Sequence, residues 1–187
     1  MAQLTSLPGS GVGQLRQRLS FRSVNRRDAP GHEPGLQRHH LLPRQLLSWR
    51  SLKPMLEVVG VERIGFDDFR SNGLLLPAND ASAIQIGLPL HRGPHRTYNE
   101  LVIERVGQIE AGWAAQRLRA PGVALLVAQQ RIALLQRALR RRLLDQQRRR
   151  FTLNRHDPLG RGVDFTELDA MAEQLWLGTE AGLDPVI

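Results

Sequence analysis

Two apolar stripes separated by Pro121 and Gly122 are the feature that most constrains how this chain can fold. Val102, Val106, Ile109 and Trp113 recur at steps of four, three and four, which is the period of one face of an α-helix. Pro94 heads that pattern, where a first-turn proline sacrifices no hydrogen bond. Beyond the break a second long helix is expected over residues 123 to 148. Leu125, Ile132, Leu135, Leu139 and Leu143 fall on or near one of its faces and arginines on the others. A short third helix is expected from Asp164 to Leu177, burying Leu168, Met171 and Leu175. Apolar runs such as "VALLVA" at 123 to 128 are far shorter than the ~20 residues of a membrane span, so no membrane insertion is expected.

Upstream of Pro94 the pattern changes. "NGLLLPAND" at 72 to 80 reads as a turn into a buried strand ending at Pro77, with a short helix or loop from Ala78 to Gly87. "RQLLSWRSLKPMLEVVG" at 44 to 60 has a helix-like pattern, interrupted by Pro54 and stopped at Gly60. Residues 1 to 36 carry Pro8, Pro30 and Pro34 among several glycines, have little periodicity, and are expected to form a flexible basic leader. "GSGVG" at 9 to 13 lacks the Gly-Lys-Ser/Thr and the preceding strand of a phosphate loop, and is set aside. The arginine-rich start has no apolar segment of the Sec type, so the expected location is cytoplasmic or secreted by a non-Sec route. The fold class expected is α+β, with a mostly helical C-terminal part.

Cysteine is absent. Disulfides, thiolate zinc sites and cysteine nucleophiles are therefore excluded, and any metal must be held by imidazole, carboxylate or carbonyl groups. The net charge of +8 is unevenly placed. Residues 117 to 150 hold ten arginines and one acid, whereas residues 156 to 187 hold seven acids and one arginine. Two readings stay open: the two blocks pack on each other, or the basic one faces nucleic acid.

Four of the six histidines fall in two tight clusters, His39 with His40 in "QRHHLLP" and His91 with His95 in "HRGPH". Adjacent side chains on a strand point to opposite faces, so His39 and His40 cannot share one environment. His91 and His95 flank Gly93-Pro94. Chain reversal at the glycine would let both rings converge on one point, as a metal that prefers imidazole requires. His32 and His156 stand alone in polar segments and are read as surface residues.

"RHHLLP", "FRSNGLLLP" and "HRGPHRTYNELVIER", in this order over residues 37 to 110, resemble the AHH family, a branch of the HNH nuclease superfamily with a ββα-metal, treble-clef-like fold. The resemblance implies a nuclease core over residues 37 to 116 followed by a helical extension over 117 to 187. It also implies a metal-dependent endonuclease that hydrolyses phosphodiester bonds, usually in DNA, as in bacterial polymorphic toxins. Carried over residue by residue, His39, His91 and His95 would be the ligands of one divalent ion and His40 the general base. Asn72 would be the central asparagine of the HNH signature, with its amide oxygen accepting a ring N–H of His40; Asn-Gly at that place can equally be a hairpin turn. Tyr98 matches the tyrosine of a "YN" pair and would touch substrate or pack. Arg38 stands where the family motif has alanine and is read as a phosphate contact. Arg92 and Arg96 are read as phosphate contacts or solvated surface. Three imidazoles favour zinc, nickel or manganese over magnesium.

A rival class is a nucleic-acid-binding module that keeps the fold and grips DNA through the helix at 123 to 148 without cutting. A third is a partner-binding piece, for an immunity protein for example, using the leucine face of that helix; the same face is explained more simply as core.

Overall fold

The computed structural model describes residues 17–145 and 152–159. Two short strands, β1 (Leu36–His40) and β2 (Gly73–Pro77), pair antiparallel in the register Leu36 with Pro77, His39 with Leu74 and His40 with Gly73. Residues 41–72 run between them through a 3-10 turn at Arg44–Ser48 and the helices α1 (Lys53–Val59), α2 (Val61–Ile64) and α3 (Phe69–Asn72). After β2 come α4 (Asp80–Ile86), α5 (Arg96–Gln116) and α6 (Pro121–Leu144). The architecture is α+β, as expected. Among the described residues no helix is long and apolar enough to cross a membrane.

Several local expectations are met for stated reasons. α5 buries Val102, Val106, Ile109 and Trp113 on one face, with Tyr98, Leu101 and Arg105. α6 starts at Pro121 instead of after it, the proline occupying the first turn. Ile132, Leu135, Leu139 and Leu143 are buried and Leu125 is partly so, which makes the leucine face core. Pro54 is the second residue of α1 where it was expected to interrupt a helix, again because a first-turn N–H has no intrahelical bond to lose. Gly60, at φ +89°, ends α1 in a conformation that few side chains tolerate. The expected helix at 164 to 177, and the last residues of the one at 123 to 148, lie outside the described residues.

Two boundaries read differently in three dimensions. α5 and α6 pack along each other, and α6 also meets α1 and α2. Leu139 and Leu143 thus share one core with Leu41, Phe66 and Leu76 from around the strands. Truncating such a leucine to alanine costs about 2–5 kcal/mol, so the first part of the expected extension helps to hold the core. The described part of the expected flexible leader is also built in. Ser20 bridges to Asp68, and Leu19 accepts from the Phe69 N–H at 2.7 Å and donates to Asp68 Oδ1 at 3.0 Å. Phe21 is buried, 8% exposed. Glycine and proline there signal irregular backbone, and one apolar anchor suffices to dock it.

Candidate metal centre and active site

Strand pleating separates the paired histidines as expected: His39 is 3% exposed, while His40 is half-buried on the other face. On the His39 face the ring centroids of His91, His95 and Tyr98 lie 4.9, 5.6 and 4.9 Å from its own. His91 and His95 are 4.3 Å apart. Each of the three places a ring nitrogen within 4.8 Å of the others. Three elements supply them: β1 carries His39, the end of β2 holds His91 through its N–H to the Pro77 carbonyl at 2.7 Å, and His95 is the N-cap of α5. Gly93 makes the reversal between the last two at φ +79°, in the left-handed region.

Hydrogen bonds leave the outer nitrogens free to act as ligands. Nδ1 of His91 lies 3.3 Å from Gln37 Oε1, and Nδ1 of His95 lies 3.1 Å from the Leu153 carbonyl. The Leu153 carbonyl can only accept, so Nδ1 of His95 carries the proton and Nε2 keeps its lone pair; Gln37 Oε1 favours the same tautomer for His91. His39 Nε2 is buried with no hydrogen-bond partner. An orphaned buried nitrogen costs about 1–3 kcal/mol, which a cation between three imidazoles would offset. Burial drives His39 well below the ordinary histidine range, with the neighbouring charges of His91, His95 and His40 adding to the effect. Burial and then the His95 charge push His91 down to about 4, and burial lowers His95. All three are neutral near pH 7, the form that binds metal. The donor set therefore fits one divalent ion with an open position.

A strap from outside the expected core closes this centre. Besides the Leu153 carbonyl on His95, Asn154 Nδ2 donates to the Arg92 carbonyl, and Asp157 Oδ2 accepts from the Leu90 N–H at 2.9 Å. Three residues of one segment thus grip the turn that carries His91 and His95.

On the opposite face the His40 ring stacks on Phe21, centroids 3.7 Å apart and planes 2° from parallel, and Phe69 meets Phe21 edge-on at 5.1 Å. A cavity of about 630 Å³ opens beside His40, lined also by Phe21, Arg22, Arg38, Arg44 and Asp67. Burial, then the Arg44 charge, lowers the His40 pKa; Asp67 opposes this and Arg38 adds to it. His40 Nε2 is enclosed and unpartnered.

Asn72 does work that differs from the sequence expectation, and Tyr98 takes the second of its two expected roles, packing. Asn72 is fully buried, and its amide does not bond His40. Oδ1 accepts from the Leu42 N–H at 2.7 Å, while Nδ2 donates to the carbonyls of Leu42 at 3.1 Å and Phe66 at 3.2 Å. Gln136 of α6 adds a bond to Oδ1 at 3.4 Å. The asparagine is a clamp on the chain that leaves β1. Nor is Asn72-Gly73 a hairpin turn, since α3 ends and β2 begins there. Tyr98 is 1% exposed and its hydroxyl donates to the Leu41 carbonyl at 2.7 Å, so it packs beside His39.

Arg38 donates to the Phe21 carbonyl at 2.6 Å and lines the His40 cavity. Arg92 and Arg96 are exposed beside the histidine turn. Sequence reasoning missed Phe21, Arg22, Arg44, Gln37 and the strap. Only Gln37 carried a local signal, standing two residues from His39 and hence on the same face.

No curated protein and no solved structure matches the chain. Residues 20–132 match the AHH family, a nuclease family of the HNH/ENDO VII superfamily with conserved AHH. With Arg38, His39 and His40 at the motif position and this match over more than half its length, the chain belongs to the AHH nuclease family.

Proposed function

We propose that the chain is a divalent-metal-dependent endonuclease acting on DNA, with His39, His91 and His95 as the metal ligands and His40 as general base. The observation that carries this reading is the sidedness of β1: His39 points into the imidazole cluster and His40 into an arginine-lined cavity. When bound, the ion would supply positive charge to the phosphate and to the departing oxygen. His40 takes the proton of the attacking water at a ring nitrogen, a task for which a neutral imidazole is suited. Its lowered pKa keeps it neutral at pH 7. Phe21 holds the ring plane by stacking, Arg38 meets the phosphate with Arg44 beside it, the latter also paired with Asp67 at 3.1 Å, and Asn72 fixes the backbone from Leu42 to Phe66 behind the strand. Arg92 and Arg96 extend the positive surface past the metal turn.

Supercoiled plasmid incubated with the protein in EDTA, or with Mg²⁺, Mn²⁺, Ni²⁺ or Zn²⁺, tests this. Metal-dependent nicking that His40→Ala abolishes, with metal binding retained, supports the assignment. Absence of cleavage under every ion, on DNA and then on RNA, overturns it. A toxin-type role with an immunity protein as partner predicts growth arrest on expression of the wild type and none with His40→Ala. The rival reading, binding through α6 alone, is weakened by the use of its arginines. Arg140 donates to the Arg70 and Ser71 carbonyls at 2.7 and 3.3 Å, and Arg142 pairs with Asp145 at 4.0 Å.

A further inference from the structure

A second cavity, about 770 Å³, adjoins the one beside His40, and the two share Arg22 and Arg38. Arg26, Arg27 and His32 also line it, and the single acid in its wall, Asp28, is paired by Arg26. Among the described residues no hydrogen bond or ion pair engages the guanidinium of Arg22 or of Arg27. We propose that these joined cavities form a phosphate-binding trough that holds the nucleic-acid backbone next to the scissile phosphate, with Arg22, Arg27 and Arg38 as its contacts.

Three features support the assignment, which rests on the nuclease reading for the position of the scissile phosphate. First, the arginines are mounted on a folded loop. Asn25 sits at φ +48°, donates to the carbonyls of Glu33 and Leu36 at 2.9 Å each, and accepts from the Glu33 N–H at 2.7 Å. Asparagine is among the few side-chain-bearing residues that take this conformation readily. Second, the loop is pinned to the active-site strand: Arg38 holds the Phe21 carbonyl, and Phe21 stacks on His40. The backbone that carries the basic groups is thus ordered before substrate arrives, which spares the entropy of immobilising a flexible arm on binding. Third, guanidinium is the side chain whose planar donor fork matches phosphate oxygens. Such contacts fix register and carry no sequence information.

The test measures binding of a short fluorescent DNA duplex by anisotropy in EDTA, where cleavage is silent, across a salt series. It compares wild type, the double variant Arg22→Gln with Arg27→Gln, and a charge-matched control, Arg63→Gln with Arg119→Gln, whose exposed arginines lie outside both cavities. Circular dichroism confirms that each is folded. The trough variant should bind at least ~10-fold more weakly than the control, and its slope of log affinity against log salt should be shallower by about 2, as expected for two lost phosphate contacts. Equal binding by the two doubles overturns the trough, as does failure of the wild type to bind DNA. Plasmid nicking decides the nuclease reading separately. Nicking with equal binding removes the trough and keeps the nuclease; selective loss of binding without nicking under any ion keeps the trough and removes the nuclease.

Discussion

His40 faces Gly73 directly across the two-stranded ladder, and the space where Gly73 would carry a side chain is filled by the ring of Phe69. A Cβ at residue 73 would come within 2.1 Å of Phe69 Cδ2. Phe69 props Phe21, and Phe21 stacks on His40. Gly73→Ala should therefore destabilise the protein by about 1–3 kcal/mol, the usual cost of overpacking. It should also lower the cleavage rate by tilting that column of rings. Thermal melting with single-turnover kinetics on one preparation checks both; an unchanged melting temperature would show that Phe69 yields freely.

Phe21→Leu keeps an apolar anchor and removes the flat face against His40. The rate constant of cleavage is expected to fall several-fold with its pH profile displaced, while metal affinity stays at the wild-type value. Calorimetric metal titration beside a pH–rate series separates this outcome from general unfolding, which would lower both.

The strap offers a different perturbation. Replacing Asn154 and Asp157 by alanine removes the side-chain bonds to the Arg92 carbonyl and the Leu90 N–H. Partners behind metal-binding histidines typically contribute 10–100-fold in affinity. Asn154 and Asp157 bond the turn and not the rings, so the double variant should weaken Zn²⁺ or Ni²⁺ binding by up to about that factor in competition with a chromophoric chelator. Unaltered affinity would assign the strap to packing alone.

Acid should destabilise the metal-free protein. Burial lowers the folded-state pKa of His91 from 6.5 to about 4 and those of His39 and His95 in the same direction. Above pH 6.5 both folded and unfolded chains keep these rings neutral and nothing is lost. As pH falls from 6.5 towards 4 the unfolded chain binds protons that the folded one refuses, so stability drops. His91 alone accounts for a loss on the order of 3 kcal/mol, at about 1.4 kcal/mol per unit. Urea denaturation at several pH values in EDTA reads the slope, and a flat profile through this window would contradict the burial of the cluster.

Asn72→Ala leaves the backbone N–H of Leu42 and the carbonyls of Leu42 and Phe66 without their amide partner in the buried interior. A loss of about 2–4 kcal/mol is expected, since each such buried group left unpaired costs about 1–3 kcal/mol and some relax onto water. Tyr98→Phe removes one hydroxyl bond and should cost about 1 kcal/mol without changing DNA affinity. Denaturation midpoints rank the two, and a milder effect for Asn72→Ala would refute its role as a clamp.

The parts of the structure legible in the sequence are those with a short period. Val102, Val106, Ile109 and Trp113 repeat at helical spacing, and His39 and His40 divide between faces because strands alternate; both patterns are local and survive folding unchanged. The convergence of His91 and His95 followed from Gly93, whose backbone freedom is also local. What stayed hidden depends on contacts across long stretches of chain. Nothing near Phe21 announces that its ring will lie on His40, and nothing near Leu153 marks its carbonyl for His95. Asn72 was found by motif but given the wrong neighbour. Its amide serves backbone groups of Leu42 and Phe66, and backbone leaves no trace in side-chain pattern.

The strap also has a meaning in time. Ribosomes deliver His39 early, His91 and His95 next, and Leu153 roughly a hundred residues after the first histidine, at about 5–20 residues per second. During that interval the growing chain holds three imidazoles whose last partner has not yet been made. The enzyme's own order of synthesis thus postpones the finished centre until nearly all of the described chain has been translated.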